Sequence, residues 1–235
     1  MDCLHTGPVV IKPLSKGGGG GKTLHETKHY EFTTSQWRAV KDWSGYFGLP
    51  REFLAAVIAA EVLYDTDWYD PVMDDVIGMI AYAGIINPSS IFEDFLEASQ
   101  SGLSLLGGRT FGPGIGQIHA ATAIQAEQHF GEAFPRALPK RTASWRHYLL
   151  VQDETNIMYT AAILRMYADW RPESRKPDGQ MSVQEMGAVF AAYHEALQTA
   201  FGSIQAYQEG AAPTSSGQIW VDQLTPLIAW YKDHN

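Results

Sequence analysis

A single, mostly α-helical domain with few short strands is the fold this sequence predicts, and three observations carry the prediction. Apolar residues recur at helical spacing through several long segments, most clearly Arg51–Leu63. Alternating runs of the kind that make half-buried strands are few and short. The 235 residues are 45% hydrophobic and include seven Trp, enough core material for one substantial domain or two small ones, and no internal repeat divides them.

Taken in order, residues 1–30 read as a tail or linker, because Ser15-Lys16 followed by Gly17–Gly21 is flexible coil by composition. Residues 31–235 form the predicted domain. Thr33-Thr34-Ser35 is placed to cap a first helix holding Trp37, Val40 and Trp43. Gly48-Leu49-Pro50 ends it, and Pro50 is well placed to start the next helix, over 51–63. The stretch YDTDWYDPVMDD (64–75) reads as a loop leaving that helix, followed by a helix over Val76–Ile86. Pro88-Ser89-Ser90 looks like the cap of a further helix over Ile91–Ser99. Gly107–Gly116 is too glycine-dense for a helix or a regular strand. A helix is expected from Gln117 through Ala126, and later ones over Asp153–Trp170, Ser182–Phe201 and Ile219–Lys232.

A net charge of −9 argues against nucleic acid, which requires a basic footprint. The acidic residues crowd into Asp65–Asp75 and Glu93–Glu97, so the imbalance is partly local. No apolar run approaches membrane-spanning length, since Ala55–Ala60 is broken at once by Glu61. The opening MDCLHTGPVVIKPL has neither the apolar core nor the cleavage signal of a secretory leader. That leaves a cytosolic protein, export by a route that reads no leader, or a fragment of a longer chain. Cys3 is the only cysteine, so no internal disulfide forms and stability must come from packing.

Glu61 is the informative residue. Leu54, Val57, Ile58, Glu61 and Val62 fall on one side of the predicted helix, a stripe that normally faces the core. A carboxyl placed there must be paired, or must hold its proton because the charged form is poorly solvated. A carboxyl that stays protonated near neutrality is what general-acid catalysis needs. A structural Glu buried against an Arg or a backbone donor explains the position equally simply.

Two further motif matches carry less. Gly17–Thr23 resembles a phosphate-binding loop, but Lys16 stands where the first glycine belongs and no βαβ pattern surrounds it. His25-Glu26-Thr27-Lys28-His29 is a literal HExxH, the spacing that lets two imidazoles on a helix face hold zinc with the Glu as base. Its flanks are a glycine run and a polar stretch, neither apolar nor clearly helical. A zinc hydrolase built on His25, Glu26 and His29 is therefore the alternative to a metal-free, cofactor-free site.

Three segments belong together: Ala59-Ala60-Glu61, the stretch FGPGIGQIHAATA (111–123), and Ala191-Ala192-Tyr193-His194-Glu195-Ala196. The first offers an acid. The second is a glycine-rich turn that lets backbone and the Gln117 amide approach a ligand closely. The third brings a Tyr able to donate to the acid or to a substrate. In this order they resemble the lysozyme-like superfamily of soluble lytic transglycosylases and goose-type lysozymes, over about residues 45–200. The resemblance places the catalytic Glu on Glu61, the Gly-Gln motif on Gly114, Gly116, Gln117 and Ile118, an Asn-Ile helix on Asn156-Ile157, and the motif tyrosine on Tyr193. Two departures stand out. Ile118-His119 follows the Gln, and His194-Glu195-Ala196 replaces the family's Asn-Ala-Gly. The span from Glu61 to Gln117 also contains an insertion, over Asp65–Gly108.

The resemblance implies cleavage of the β-1,4 bonds of peptidoglycan, by hydrolysis or by anhydro-forming transglycosylation. It extends to the lysozyme-like domains of antibacterial effectors delivered by the type VI secretion apparatus. Those domains need no signal peptide and act in the periplasm or cell wall of a target bacterium. On that reading the partners are glycan strands and an immunity protein or secretion-apparatus component, with no nucleic acid and no membrane insertion. Such cleavage needs an acid on the leaving oxygen, and hydrolysis with inversion needs a second carboxylate about 6.5–9.5 Å away. Asp65, Asp67, Asp70, Asp74 and Asp75 are the candidates, and their number favours hydrolysis slightly. Glu52, nine residues before Glu61, is half a turn out of phase and better suited to the helix dipole. Trp68, Tyr69 and Phe111 are candidates for stacking on sugar rings, with core packing as the competing explanation.

Overall fold

The computed structural model describes residues 29–64, 71–87, 114–135, 142–175 and 180–234, together with Ile91, Asp94 and Leu96. These residues form one mostly α-helical domain, and no strand occurs among them. Among the described residues the α-helices of given bounds are, in order, α1 Thr34–Phe47, α2 Arg51–Tyr64, α3 Pro71–Ile86, α4 Ala120–Phe130, α5 Ala143–Leu150, α6 Asp153–Trp170, α7 Val183–His194, α8 Leu197–Phe201, α9 Ile204–Gln208 and α10 Ser215–Asp233.

α1 begins where its cap predicts. The Thr33 hydroxyl accepts from the Gln36 N–H while the Gln36 side chain accepts from the Thr33 N–H, a reciprocal capping box. Gly48 closes the helix in the left-handed conformation (φ 62°) that a glycine adopts without penalty. α2 departs from the expected single stripe, because every residue from Phe53 to Glu61 is buried. Its four alanines let neighbouring helices approach from all sides, so the polar face of an ordinary surface helix is missing. α6 is the second central helix, buried almost throughout from Thr155 to Ala168 and packed by α1, α2, α4, α5 and α7. α10 lies across α2 and α7, and α3 packs on α5, where Ala81 and Ala143 share a small buried cluster with Leu96.

Four expectations are corrected. α3 begins at Pro71, at the first helical position, so Asp74 and Asp75, expected in a loop, belong to α3 and lie near its N-terminus. The helix expected from Gln117 starts at Ala120, because Gly114–Gln117 forms a separate turn. The helix expected over Ser182–Phe201 is two helices, with Glu195 extended between them (φ −115°, ψ 159°). α5 is a short helix that the periodicity did not reveal. Of the helix expected over Ile91–Ser99, Ile91, Asp94 and Leu96 are helical and the rest lies outside the described residues.

The first described residues are strapped to the last helix. The Tyr231 hydroxyl donates to the Tyr30 carbonyl (2.7 Å) and accepts from the Tyr30 N–H (3.1 Å), and the His29 ring stacks on Trp230. Burial pushes the phenols of Tyr30, Tyr167, Tyr193, Tyr207 and Tyr231 up, that of Tyr167 from 10.0 to about 12. In the unfolded chain these groups ionise near their ordinary value. Between there and their folded values the native state binds more protons, so stability present below about pH 10 falls as pH rises. For Tyr167 alone the loss is about 3 kcal/mol by about pH 12. Phenolate absorbance should therefore appear together with loss of helical circular dichroism. A smooth phenolate titration preceding unfolding would contradict the burial of these groups.

Candidate functional site

Glu61 lies in the last turn of α2 and is 2% exposed. Its carboxyl faces the end of α7, where His194 Nδ1 stands 2.9 Å from Glu61 Oε1. His194 is held in turn by aromatic rings, Trp220 of α10 at a centroid distance of 3.6 Å and Phe190 at 5.7 Å. A buried acid thus meets a partly exposed imidazole across 133 residues of sequence.

The turn Gly114–Gln117 is fixed from below by α6. The Gly116 N–H donates to Asn156 Oδ1 (2.7 Å), and Asn156 Nδ2 donates to the Leu150 carbonyl (2.7 Å). The Thr160 hydroxyl donates to the Asn156 carbonyl (3.0 Å), which holds the next turn of α6 beside it. From above, the Tyr193 hydroxyl donates to the Gly116 carbonyl. Both polar groups of the Gly116 backbone are therefore engaged by side chains. Gly116 has no room for a Cβ, which would fall 2.2 Å from Thr160 Oγ1 and 2.8 Å from Asn156 Oδ1.

Tyr193 holds the turn through this bond, and the hydrogen bond expected between it and Glu61 is made instead by its neighbour His194. Adjacent residues at one helix end thereby hold the turn and the acid. Burial first, then the negative charge of Glu61, push the Tyr193 phenol well above its ordinary value, with a Thr160 hydrogen bond opposing. Both effects favour the protonated hydroxyl, the form that donates to the Gly116 carbonyl.

Gln117 closes the turn with its N–H on the Gly114 carbonyl (3.0 Å). It is the only non-glycine with positive φ among the described residues, at 50°. A left-handed residue with a Cβ costs about 1–2 kcal/mol, and a half-exposed position gives no packing reason for it. Its side-chain amide makes no hydrogen bond to any described residue. Gln117→Gly should raise unfolding free energy in denaturant by about 1 kcal/mol while weakening kcat/KM toward a ligand that the amide holds. A destabilised variant would show that the fold, rather than a ligand, uses the side chain.

No family model, curated protein or solved structure matches this chain. The arrangement itself offers a buried carboxyl, an imidazole beside it and a turn whose Gln117 amide has no hydrogen-bond partner among the described residues. Glu52 lies in the first turn of α2, at the opposite end from Glu61, where it complements the helix dipole. Asp65, Asp67, Asp70, Trp68, Tyr69 and Phe111 lie outside the described residues, as do the side chains of Asp74 and Asp75. His25 and Glu26 lie outside them too. His29 is described, and it sits on an extended segment stacked on Trp230 rather than on a helix face. Among the described residues no group of three or more His, Cys, Asp or Glu could hold a metal ion, and no helix is long and apolar enough to cross a membrane.

Sequence reasoning missed the role of His194, and it named Asn156 only within the Asn-Ile helix, without its bonds to the turn. His194 was visible only as a departure from a motif. The signal that could have found it is the demand of a buried carboxyl for a partner. Asn156 stood out weakly, as a polar residue inside the apolar run of α6.

Proposed function

We propose that this protein cleaves the β-1,4-linked glycan strand of peptidoglycan, with Glu61 as general acid. The observation that carries the reading is the Glu61–His194 pair, its acid buried, beside a turn of positive φ whose Gln117 amide makes no hydrogen bond to any described residue. The order of Glu61, Gly114-Gly116-Gln117 and Tyr193, which resembles that of the lysozyme-like superfamily, supports it.

In this reading Glu61 gives its proton to the glycosidic oxygen as the bond to the anomeric carbon breaks. The positive charge that develops on the sugar ring is transient and oxocarbenium-like. Gln117 and the backbone of Gly114 and Gly116 hold the sugar, and Tyr193 keeps that backbone in place. Water activated by a second carboxylate completes hydrolysis, with Asp65, Asp67, Asp70, Asp74 and Asp75 as candidates. Attack by the sugar's own hydroxyl instead gives an anhydro product through the same acid. An antibacterial effector delivered without a leader is the biological setting this chemistry fits, with target-cell glycan and an immunity protein as partners.

Mass analysis of muropeptides released from purified peptidoglycan tests the reading. New reducing ends mean hydrolysis and anhydro ends mean transglycosylation. Tight glycan binding with neither product would reduce the protein to a glycan-binding domain and sink the proposal.

A further inference from the structure

We propose that His194 is a positioning residue for Glu61, holding its carboxyl in one orientation through Nδ1 while Trp220 holds the imidazole. The inference rests on the general-acid role of Glu61. A Glu side chain has three rotatable bonds, and a proton donor is effective only when its oxygen is aimed at the leaving atom. At 2.9 Å, His194 Nδ1 fixes Oε1 and so fixes the plane of the carboxyl.

The imidazole is itself constrained. The Trp220 ring packs against it and Phe190 lies on the same helix one turn back. Trp220 is held in place because α10 packs closely on both α7 and α8. A Cβ at Gly187 would fall 2.6 Å from Val221 Cγ1, and one at Gly217 would fall 2.7 Å from the Ala200 carbonyl oxygen. The Ser216 hydroxyl adds bonds of 2.9 and 3.2 Å to the two Glu195 carboxylate oxygens, next to His194 in sequence. Two consecutive contacts therefore run from α10 to the acid, Trp220 on His194 and His194 on Glu61.

Three variants separate this role from plain packing. His194→Phe keeps a ring against Trp220 and deletes Nδ1. His194→Asn places an amide at the same branch point as Nδ1 and keeps the hydrogen bond. Glu61→Gln removes the acid. With purified peptidoglycan, His194→Phe should lower kcat by about 10- to 100-fold with KM within about twofold of wild type. His194→Asn should restore kcat to within about fivefold of wild type. A folded His194→Phe with wild-type kcat would overturn the inference. So would His194→Asn with kcat more than about tenfold down, even if His194→Phe does not fold, because the bond is still made. Histidine two-bond proton–nitrogen spectra, assigned by the signal missing in His194→Asn, should show the His194 Nδ1 resonance shift in Glu61→Gln. An unmoved resonance would deny the contact. Wild type inactive on glycan would end the glycosidase reading and this inference together, whereas an active wild type with an indifferent His194→Phe ends only the inference.

Discussion

Glu61→Gln should abolish cleavage of purified peptidoglycan, lowering kcat by about 10²- to 10⁴-fold, the range that a positioned general acid supplies. The amide has the same shape and can still accept from His194 Nδ1, so the pair keeps its hydrogen bond and loses only its transferable proton. Stability should change by no more than about 1 kcal/mol, within the range of a single neutral hydrogen bond. The dissociation between the two measurements is the point. A catalytic carboxyl costs rate and little stability when made an amide, whereas a structural one leaves any activity where it was. Retained cleavage by a folded Glu61→Gln protein would remove Glu61 from the chemistry.

Gly114→Ala is expected to be the most damaging small substitution in the described fold. Its φ of 78° costs a non-glycine residue about 1–2 kcal/mol. The new Cβ would also lie 2.2 Å from Asn156 Nδ2 and 2.3 Å from the Leu150 carbonyl oxygen. Those two atoms are the partners of an existing buried hydrogen bond, so relief requires breaking it. Overpacking of this kind adds about 1–3 kcal/mol, giving a loss of about 3 kcal/mol or more in denaturant unfolding, together with loss of the turn that presents Gln117. Gly45→Ala is the control, because nothing lies within 4 Å of its Cβ and the position is helical. It should stabilise the protein by about 1 kcal/mol. Equal effects of the two substitutions would show that the turn is not fixed as described.

Features legible in the sequence were those set by neighbouring residues. The Thr33 cap, the bounds of α6 and the burial of an acid at Glu61 depend on local spacing, and they appear where the pattern puts them. Features that depend on distant contacts were not legible. Glu195 breaks the α7–α8 run with no glycine or proline beside it, because Ser216 of α10 binds its carboxylate in an extended conformation. Gln117 delays α4 by three residues, because α6 and Tyr193 fix the preceding turn in a shape no propensity favours. The partner of Glu61 comes from 133 residues away, a separation that no periodicity spans.

The strap between Tyr30 and Tyr231 has a consequence for the order of assembly on the ribosome. Its two halves are 201 residues apart, so at roughly 5–20 residues per second the first waits about 10–40 s for the second to be made. During that interval Phe32 and Trp37 lack the Tyr231 ring they pack against, and Gly187 faces no Val221. His194 likewise has no Trp220 against it until the last helix emerges. A nascent chain with α1 to α7 already folded therefore displays an uncovered aromatic surface and a His194 ring that has Glu61 beside it but not yet Trp220. Glu61 and His194 both precede α10, so their hydrogen bond needs no residue of that helix, and the pair gains its Trp220 neighbour only once α10 has been made.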